Sequence, residues 1–357
     1  MSIDSRSGIA SPNPHAKARF PPGRTLAHFA LFGLLAFSAG AVRSPVQAAV
    51  TVAKHQWNVP GAFVFTFDDA LPSHLIYAAP LLNQVGLKGS FYLTVMKVGD
   101  GPPDSAAIGQ PTSTSWSGWK VLADSGHEIG SHTMTHPRLT GLSAEQVSKE
   151  LQESAAKIKE KLGITPVTLA YPFNAKNPAV TALMRETYIA AREFQVGYGA
   201  EGGPDFAVTA AAMNKFVDDA IAGNKLQIGM IHGLTEPYAP TDPVAFLEHL
   251  KYCRQLVDQK QLWVPTFAAY SKYTIGRDSV RITELPSARP RTLEFRAESP
   301  LDPRLYDVPL TFMYKIPGAK ADSVKVVRGN APVNFRYDGD LVLVEALPGP
   351  EPIKITW

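Results

Sequence analysis

The chain has 357 residues, 45% hydrophobic and 19% charged, which excludes a disordered protein and suffices for one large core plus a smaller domain. The formal net charge of +3 sits in the leader: the first 48 residues hold Arg6, Lys17, Arg19, Arg24 and Arg43 against Asp4 alone, leaving the remainder near −1. That balance points to neither nucleic acid nor an anionic membrane surface as a partner.

In chain order, the basic leader is followed by the apolar run Phe29–Val42 and by small residues at Val46-Gln47-Ala48-Ala49. This is the pattern of an export signal over residues 1–48, placing the mature protein in the periplasm or outside the cell. The run is shorter than the ~20 residues of a membrane span, so no stable membrane association is expected after cleavage. A retained signal anchor is the rival reading.

Beyond the leader, apolar strand-like runs recur at Ala62–Asp69, Gly89–Val95, His127–Thr133, Val167–Phe173, Ile189–Val196, Leu226–His232 and Leu262–Phe267. Helical patterns lie between most of them, at Ser73–Val85, Ser117–Ala123, Ser143–Leu162, Pro178–Thr187 and Val244–Gln259. In the clearest, Ser143 and Gln146 form a capping box, Val147, Leu151, Ala155, Ile158 and Leu162 make one stripe, and Gly163 stops the helix. Strands alternating with helices predict parallel βαβ units in an α/β fold, curled toward a barrel with its function at the carboxyl ends. The single cysteine, Cys253, lies in line with Leu247, Leu250 and Val257 and reads as a small core residue. After Arg277 the text changes to short β-type runs broken by Pro and Gly, which predicts a small sandwich over 278–357 after a catalytic domain over 49–277.

Three strand ends carry chemistry. Asp68 and Asp69 close the first run, and two like charges this close resist joint ionisation unless a cation or donor intervenes. His132 and His136 follow the third run, where Pro137 disfavours a helix and favours a tight loop aiming both rings at one point. His232 ends the sixth run. A strand-end turn with solvated acids, or a structural histidine, would explain any one of these alone. Three successive strand ends carrying Asp-Asp, His/His and His suggest a metal held by three ligands with positions left open.

These residues match a family. Thr66-Phe67-Asp68-Asp69-Ala70, His132-Thr133-Met134-Thr135-His136, Ala170-Tyr171-Pro172-Phe173-Asn174 and Met230-Ile231-His232 resemble, in order, motifs of the NodB-homology polysaccharide deacetylases, carbohydrate esterase family 4. The resemblance covers about Gly61–Tyr273 and implies an irregular (β/α) barrel of seven or eight strands. It implies that Asp69, His132 and His136 bind a divalent metal, usually zinc, that Asp68 is the general base, and that His232 is the acid. It further implies that Tyr171, Pro172 and Phe173 line the substrate and that the Phe173 N–H stabilises the oxyanion. Two positions depart from the pattern. Ala70 replaces a Gly, which is tolerable if the turn demands no positive φ. Ala170 stands where the family places the Arg that pairs with the base, and Arg192 is the candidate replacement, against a plain surface Arg. Trp263 either lines the acetyl pocket or fills the barrel.

The expected activity is removal of acetyl groups from a glycan, the N-acetyl groups of an N-acetylglucosamine-containing glycan first. An O-acetyl esterase acting on xylan and a catalytically silent glycan-binding protein are the alternatives. Substrate choice is expected in the loops Gly99–Ser115 and Gly197–Ala207.

Overall fold

A computed structural model describes residues 49–100, 114–199, 208–236 and 240–357. The expected export signal and the central parts of both substrate loops, 101–113 and 200–207, lie outside the described residues. The parallel strands, numbered in chain order, are β1 (Gly61–Phe67), β2 (Ser90–Leu93), β3 (Glu128–Ser131), β4 (Thr168–Ala170), β5 (Ala190–Arg192), β6 (Val196–Gly197), β7 (Leu226–Ile231) and β8 (Leu262–Trp263). They lie in the order β5-β4-β3-β2-β1-β7-β6, with β8 also against β1. β2 pairs with β1 only at Thr66 and Phe67, and β8 fills the edge left bare lower down, at Gly61 and Ala62.

The expected strand Ile189–Val196 is therefore two strands, β5 and β6, at opposite edges of the sheet. Only Glu193–Gln195 separate them, so the chain passes from one edge to the other within ~15 Å at most. The sheet must curl almost into a barrel, the α/β architecture expected, although no ladder joins β5 to β6 among the described residues.

Strand periodicity then sorts the side chains of β1. Phe63, Phe65 and Phe67 face outward into a core shared with Phe246, Leu250, Cys253, Trp119 and Leu122 of the covering helices. Val64 faces inward, packed with Tyr92, Ala170, Ile228 and Phe267. Thr66 and Asp68 continue that inner row toward the carboxyl end. Trp116 and Trp119 are core residues, as is Cys253. The helix Ala144–Leu162 forms as expected, with both halves of its capping box and a left-handed Gly163 at φ 75°. Two further helices, Ala210–Ala222 and Phe267–Ser279, were not expected.

The C-terminal part is a sandwich of two antiparallel sheets. One holds four strands in the order Thr51–Val52, Leu310–Lys315, Leu341–Ala346, Phe335–Asp338. The other holds five, in the order Arg281–Leu285, Thr292–Glu298, Gly349–Thr356, Lys325–Arg328, Ala331–Pro332. Phe295, Phe312, Val326, Val344 and Ile353 fill the space between them. Thr51–Val52 precedes the barrel in sequence yet pairs with Phe312 and Met313. The helix Phe267–Ser279 joins the two parts: Phe267 plugs the amino end of the barrel, and Tyr273 is buried in the sandwich core with its hydroxyl donating to the Ala53 carbonyl at 2.9 Å. Among the described residues no helix is long and apolar enough to cross a membrane.

Candidate functional site

The inner row of β1 ends in Asp68, whose N–H donates to the Ile231 carbonyl at 3.0 Å and so aligns the first and sixth expected strand ends. Asp69 follows at φ 78° and Ala70 at φ 55°. This left-handed turn breaks the alternation, so that both acids serve one side. It also answers the question posed by Ala70: the turn does demand positive φ, and Ala70 adopts it against the preference of a Cβ-bearing residue.

The His132–His136 loop is fixed by its neighbours. The Glu150 carboxylate accepts from the N–H groups of Met134 and Thr135 at 3.0 and 2.9 Å, and Thr133 Oγ1 accepts from the His136 N–H at 3.0 Å. Thr133 and His136 are again left-handed, as are Phe173 and Asn174 in the next loop. Among the described residues, six of the eleven non-glycine residues with positive φ thus belong to these three loops. Strain concentrated in this way is characteristic of functional sites, where the surroundings must over-determine it.

The loops bring Asp69, His132 and His136 together, their nearest ligand atoms all within 4.8 Å of one another. His132 Nε2 lies 3.1 Å from His136 Nε2 and 4.0 Å from Asp69 Oδ1, and His136 Nε2 lies 3.5 Å from Asp69 Oδ1. Ligands at ~2.0–2.1 Å from a tetrahedral ion stand ~3.3 Å apart, and these three edges bracket that value. The donors are also in the right state. His132 Nδ1–H donates to the Ala170 carbonyl at 2.8 Å, which leaves the Nε2 lone pair facing the cluster. Burial pushes both imidazole pKa values down, favouring the neutral forms that bind metal. Burial raises the Asp69 carboxyl, but His132 and Lys97 outweigh it and hold it below its ordinary value. The residues fit a divalent cation.

Asp68 is more deeply buried than Asp69 and is claimed by a different cation. Arg192 rises inside the barrel from β5, over the Tyr92 ring, and donates to both Asp68 oxygens at 2.7 and 2.5 Å and to Thr66 Oγ1 at 2.9 Å. Arg192 is only 2% exposed and so is no surface residue. Burial would raise the Asp68 carboxyl, but the guanidinium, with help from His132 and His232, holds it well below the usual carboxylate range. His232 follows the end of β7 beside Asp68 and acts on its charge.

The remaining expected residues divide. Phe173 is exposed, its ring 4.8 Å from the His136 ring and capped by Arg138 at 5.0 Å. Pro172 is buried in the same turn. The Tyr171 side chain lies in an outer core with Leu139, Val147 and Met184, so it supports the loop rather than lining the cleft. Trp263 is not brought to the site. Its strand pairs with the first residues of β1, six positions and ~20 Å below Asp68, and its ring packs on Tyr270 and Tyr273 at the sandwich boundary. Three further residues at the site lie outside the motifs. Lys97 contacts Asp69 Oδ1 at 3.1 Å, Glu150 braces the histidine loop, and His74 bonds to the His232 carbonyl. Their positions in loops, without spacing that binds them to a motif, left no signal beyond residue type.

Comparison with known proteins agrees with this geometry. Residues 58–191 match the polysaccharide deacetylase family. A gellan lyase from Bacillus sp is 26% identical over 83% of this chain and 13% of its own length. A chitin deacetylase from Pestalotiopsis sp is 25% identical over 37% of this chain and 40% of its own length. The chain therefore spans well under two thirds of these curated relatives. Among solved structures, the chitin deacetylase of Colletotrichum lindemuthianum aligns with a TM-score of 0.45 at 15% identity, over 62% of this chain and 89% of that one. Asp68, Asp69, His132, His136 and the Ala170–Phe173 turn all lie inside the segment that matches the polysaccharide deacetylase family.

Proposed function

We propose that the protein is a metal-dependent deacetylase that removes acetyl groups from a glycan, with the N-acetyl groups of an N-acetylglucosamine-containing glycan as its substrate. The observation that carries this reading is the Asp69–His132–His136 triangle with an Arg192-held carboxylate, Asp68, one residue away. Asp69, His132 and His136 would hold the divalent ion, zinc in the first instance; such an ion supplies Lewis acidity to a carbonyl oxygen and lowers the pKa of a water.

The chain's own groups do the rest. Asp68, kept ionised by Arg192, receives a proton from the attacking water. The guanidinium fixes the carboxylate plane in the role that the family gives to the motif arginine. His232 gives a proton to the departing nitrogen, and the Phe173 N–H donates to the oxygen on which charge develops. Phe173, exposed beside His136, offers an apolar face to the sugar. The protein is exported by its basic and apolar leader, a reading that N-terminal sequencing of secreted protein tests.

The deciding experiment is acetate release from chitin oligomers, peptidoglycan, acetylated xylan and gellan, with and without chelator. Chelator-sensitive acetate from the N-acetylated substrates is expected. Acetate from xylan alone would make the protein an O-acetyl esterase. Unsaturated uronate from gellan, the product of lyase chemistry, without acetate from any substrate would overturn the reading.

A further inference from the structure

His74 is fully buried, outside every motif noted in the sequence, and its ring stands among Phe67, Phe91 and Trp119 at centroid distances of 5.5, 5.8 and 6.2 Å. An aromatic pocket of this kind would hold an apolar side chain without the cost of desolvating an imidazole. Both ring nitrogens are nevertheless used. Nδ1 accepts from the Leu71 N–H at 3.3 Å, and Nε2–H donates to the carbonyl of His232. The imidazole therefore ties the turn that follows Asp68 and Asp69 to the peptide that carries His232.

The neighbouring residues repeat the link. The Ser73 N–H donates to Glu236 Oε1 at 2.9 Å, the Ser73 hydroxyl donates to Glu236 Oε2, and Ser73 Oγ accepts from the Leu234 N–H at 3.0 Å. On the barrel side, the Asp68 N–H reaches the Ile231 carbonyl. Segments 71–74 and 231–236 are thus clasped on both sides of His232, and a Cβ on Gly233 would meet Glu236 Oε2 at 2.2 Å, so the closeness of the second segment is built into the sequence.

We infer that His74, with Ser73 and Glu236, is a positioning residue of the deacetylase reaction: it fixes the His232 peptide against the Asp68–Asp69 turn and so sets where the His232 imidazole can deliver its proton. This inference rests on the deacetylase reading above. A general acid displaced by about 1 Å loses on the order of 100-fold in rate, so a carbonyl tether on the acid's own residue is a strong lever.

His74→Phe keeps the ring volume and removes both hydrogen bonds; His74→Gln keeps a donor within reach of the His232 carbonyl. With zinc affinity as a fold control, His74→Phe should lower kcat by about 10- to 100-fold with little change in KM, and His74→Gln should recover most of it. In a His232→Asn background, His74→Phe should cost less than about threefold, because the group it positions is gone. Equal losses in both backgrounds, or a His74→Phe protein within twofold of the parent, overturn the inference. The His232 ring resonance in the NMR spectrum of histidine-labelled protein gives a readout free of activity. It should move in His74→Phe and return in His74→Gln, and no movement in either variant also overturns the inference. A parent protein that releases no acetate sinks the deacetylase reading instead, and the resonance still decides whether the clasp holds His232.

Discussion

The two ends of the barrel each hold one carboxylate, Asp68 buried and Glu128 half-buried, and treat it in opposite ways. At the carboxyl end Asp68 meets a guanidinium and is held ionised. At the amino end Glu128 begins β3 and accepts from the hydroxyls of Ser90 and Thr168 and from the Ala268 N–H; burial outweighs these neutral donors and raises its carboxyl. One acid is kept charged and aimed at a cleft, the other serves as a pin between strands and the helix that plugs the barrel. The kind of donor, rather than the depth of burial, separates chemistry from architecture here.

The sharpest way to break the comparison is Asp68→Asn. Acetate release should fall by about 1,000-fold while zinc binding by Asp69, His132 and His136 persists in equilibrium dialysis; retained turnover would remove Asp68 from the reaction. Next in size is Arg192→Met, which leaves the Asp68 charge buried without a partner. It should cost about 3–5 kcal/mol in denaturant unfolding along with most of the activity, and a loss under 1 kcal/mol would show that the pair does not hold the barrel mouth.

Linkage gives the two acids opposite signs. The Asp68 folded-state pKa is depressed, so its stabilising contribution is complete above the ordinary value of 3.8 and is lost as pH falls below it. The Glu128 pKa is raised, so its contribution is complete below the ordinary value of 4.5 and is lost as pH rises through the higher folded value. Glu128→Gln places a neutral amide where the protonated acid stands, so wild type should lose unfolding free energy relative to the variant as pH rises from 4 to 8, with acetate release little changed. A wild type that gains stability on the variant toward alkaline pH would contradict the assignment. The smallest effect is expected from Ala70→Gly. Relief of the left-handed alanine should raise stability by about 1 kcal/mol, and a destabilised variant would mean that the buried Ala70 methyl outweighs the strain.

Much of this was legible because β-periodicity and strand ends are written locally. The run Ala62–Phe67 announced a strand buried on both faces, and the acids after it announced the carboxyl end. Arg192 could be nominated from its place at a strand end. Ile189–Val196 could not be divided, since every residue in it tolerates extended backbone and the break reflects only where the chain changes edge. Trp263 misled because a two-residue strand contains no information on which level of β1 it joins. His74 and Glu236 gained their meaning from a pairing more than 150 residues apart, which no local pattern records. The helix Ala210–Ala222 did carry a signal, Met213, Val217 and Ala220 on one buried face, but so many alanines blur the contrast between faces.

The seam between β5 and β6 has a consequence for motion. Arg192 is the last residue of β5, an edge strand whose single ladder runs to β4. Edge strands open at lower free energy than central ones, so the residue that grips Asp68, the proposed base, stands on one of the barrel's least protected segments. Amide exchange at Ala190–Arg192 should outpace that of β1, and each such opening would momentarily turn Asp68 from a gripped carboxylate into a loose one. The rate at which the seam breathes then sets an upper limit on how long the site stays ready between encounters with substrate.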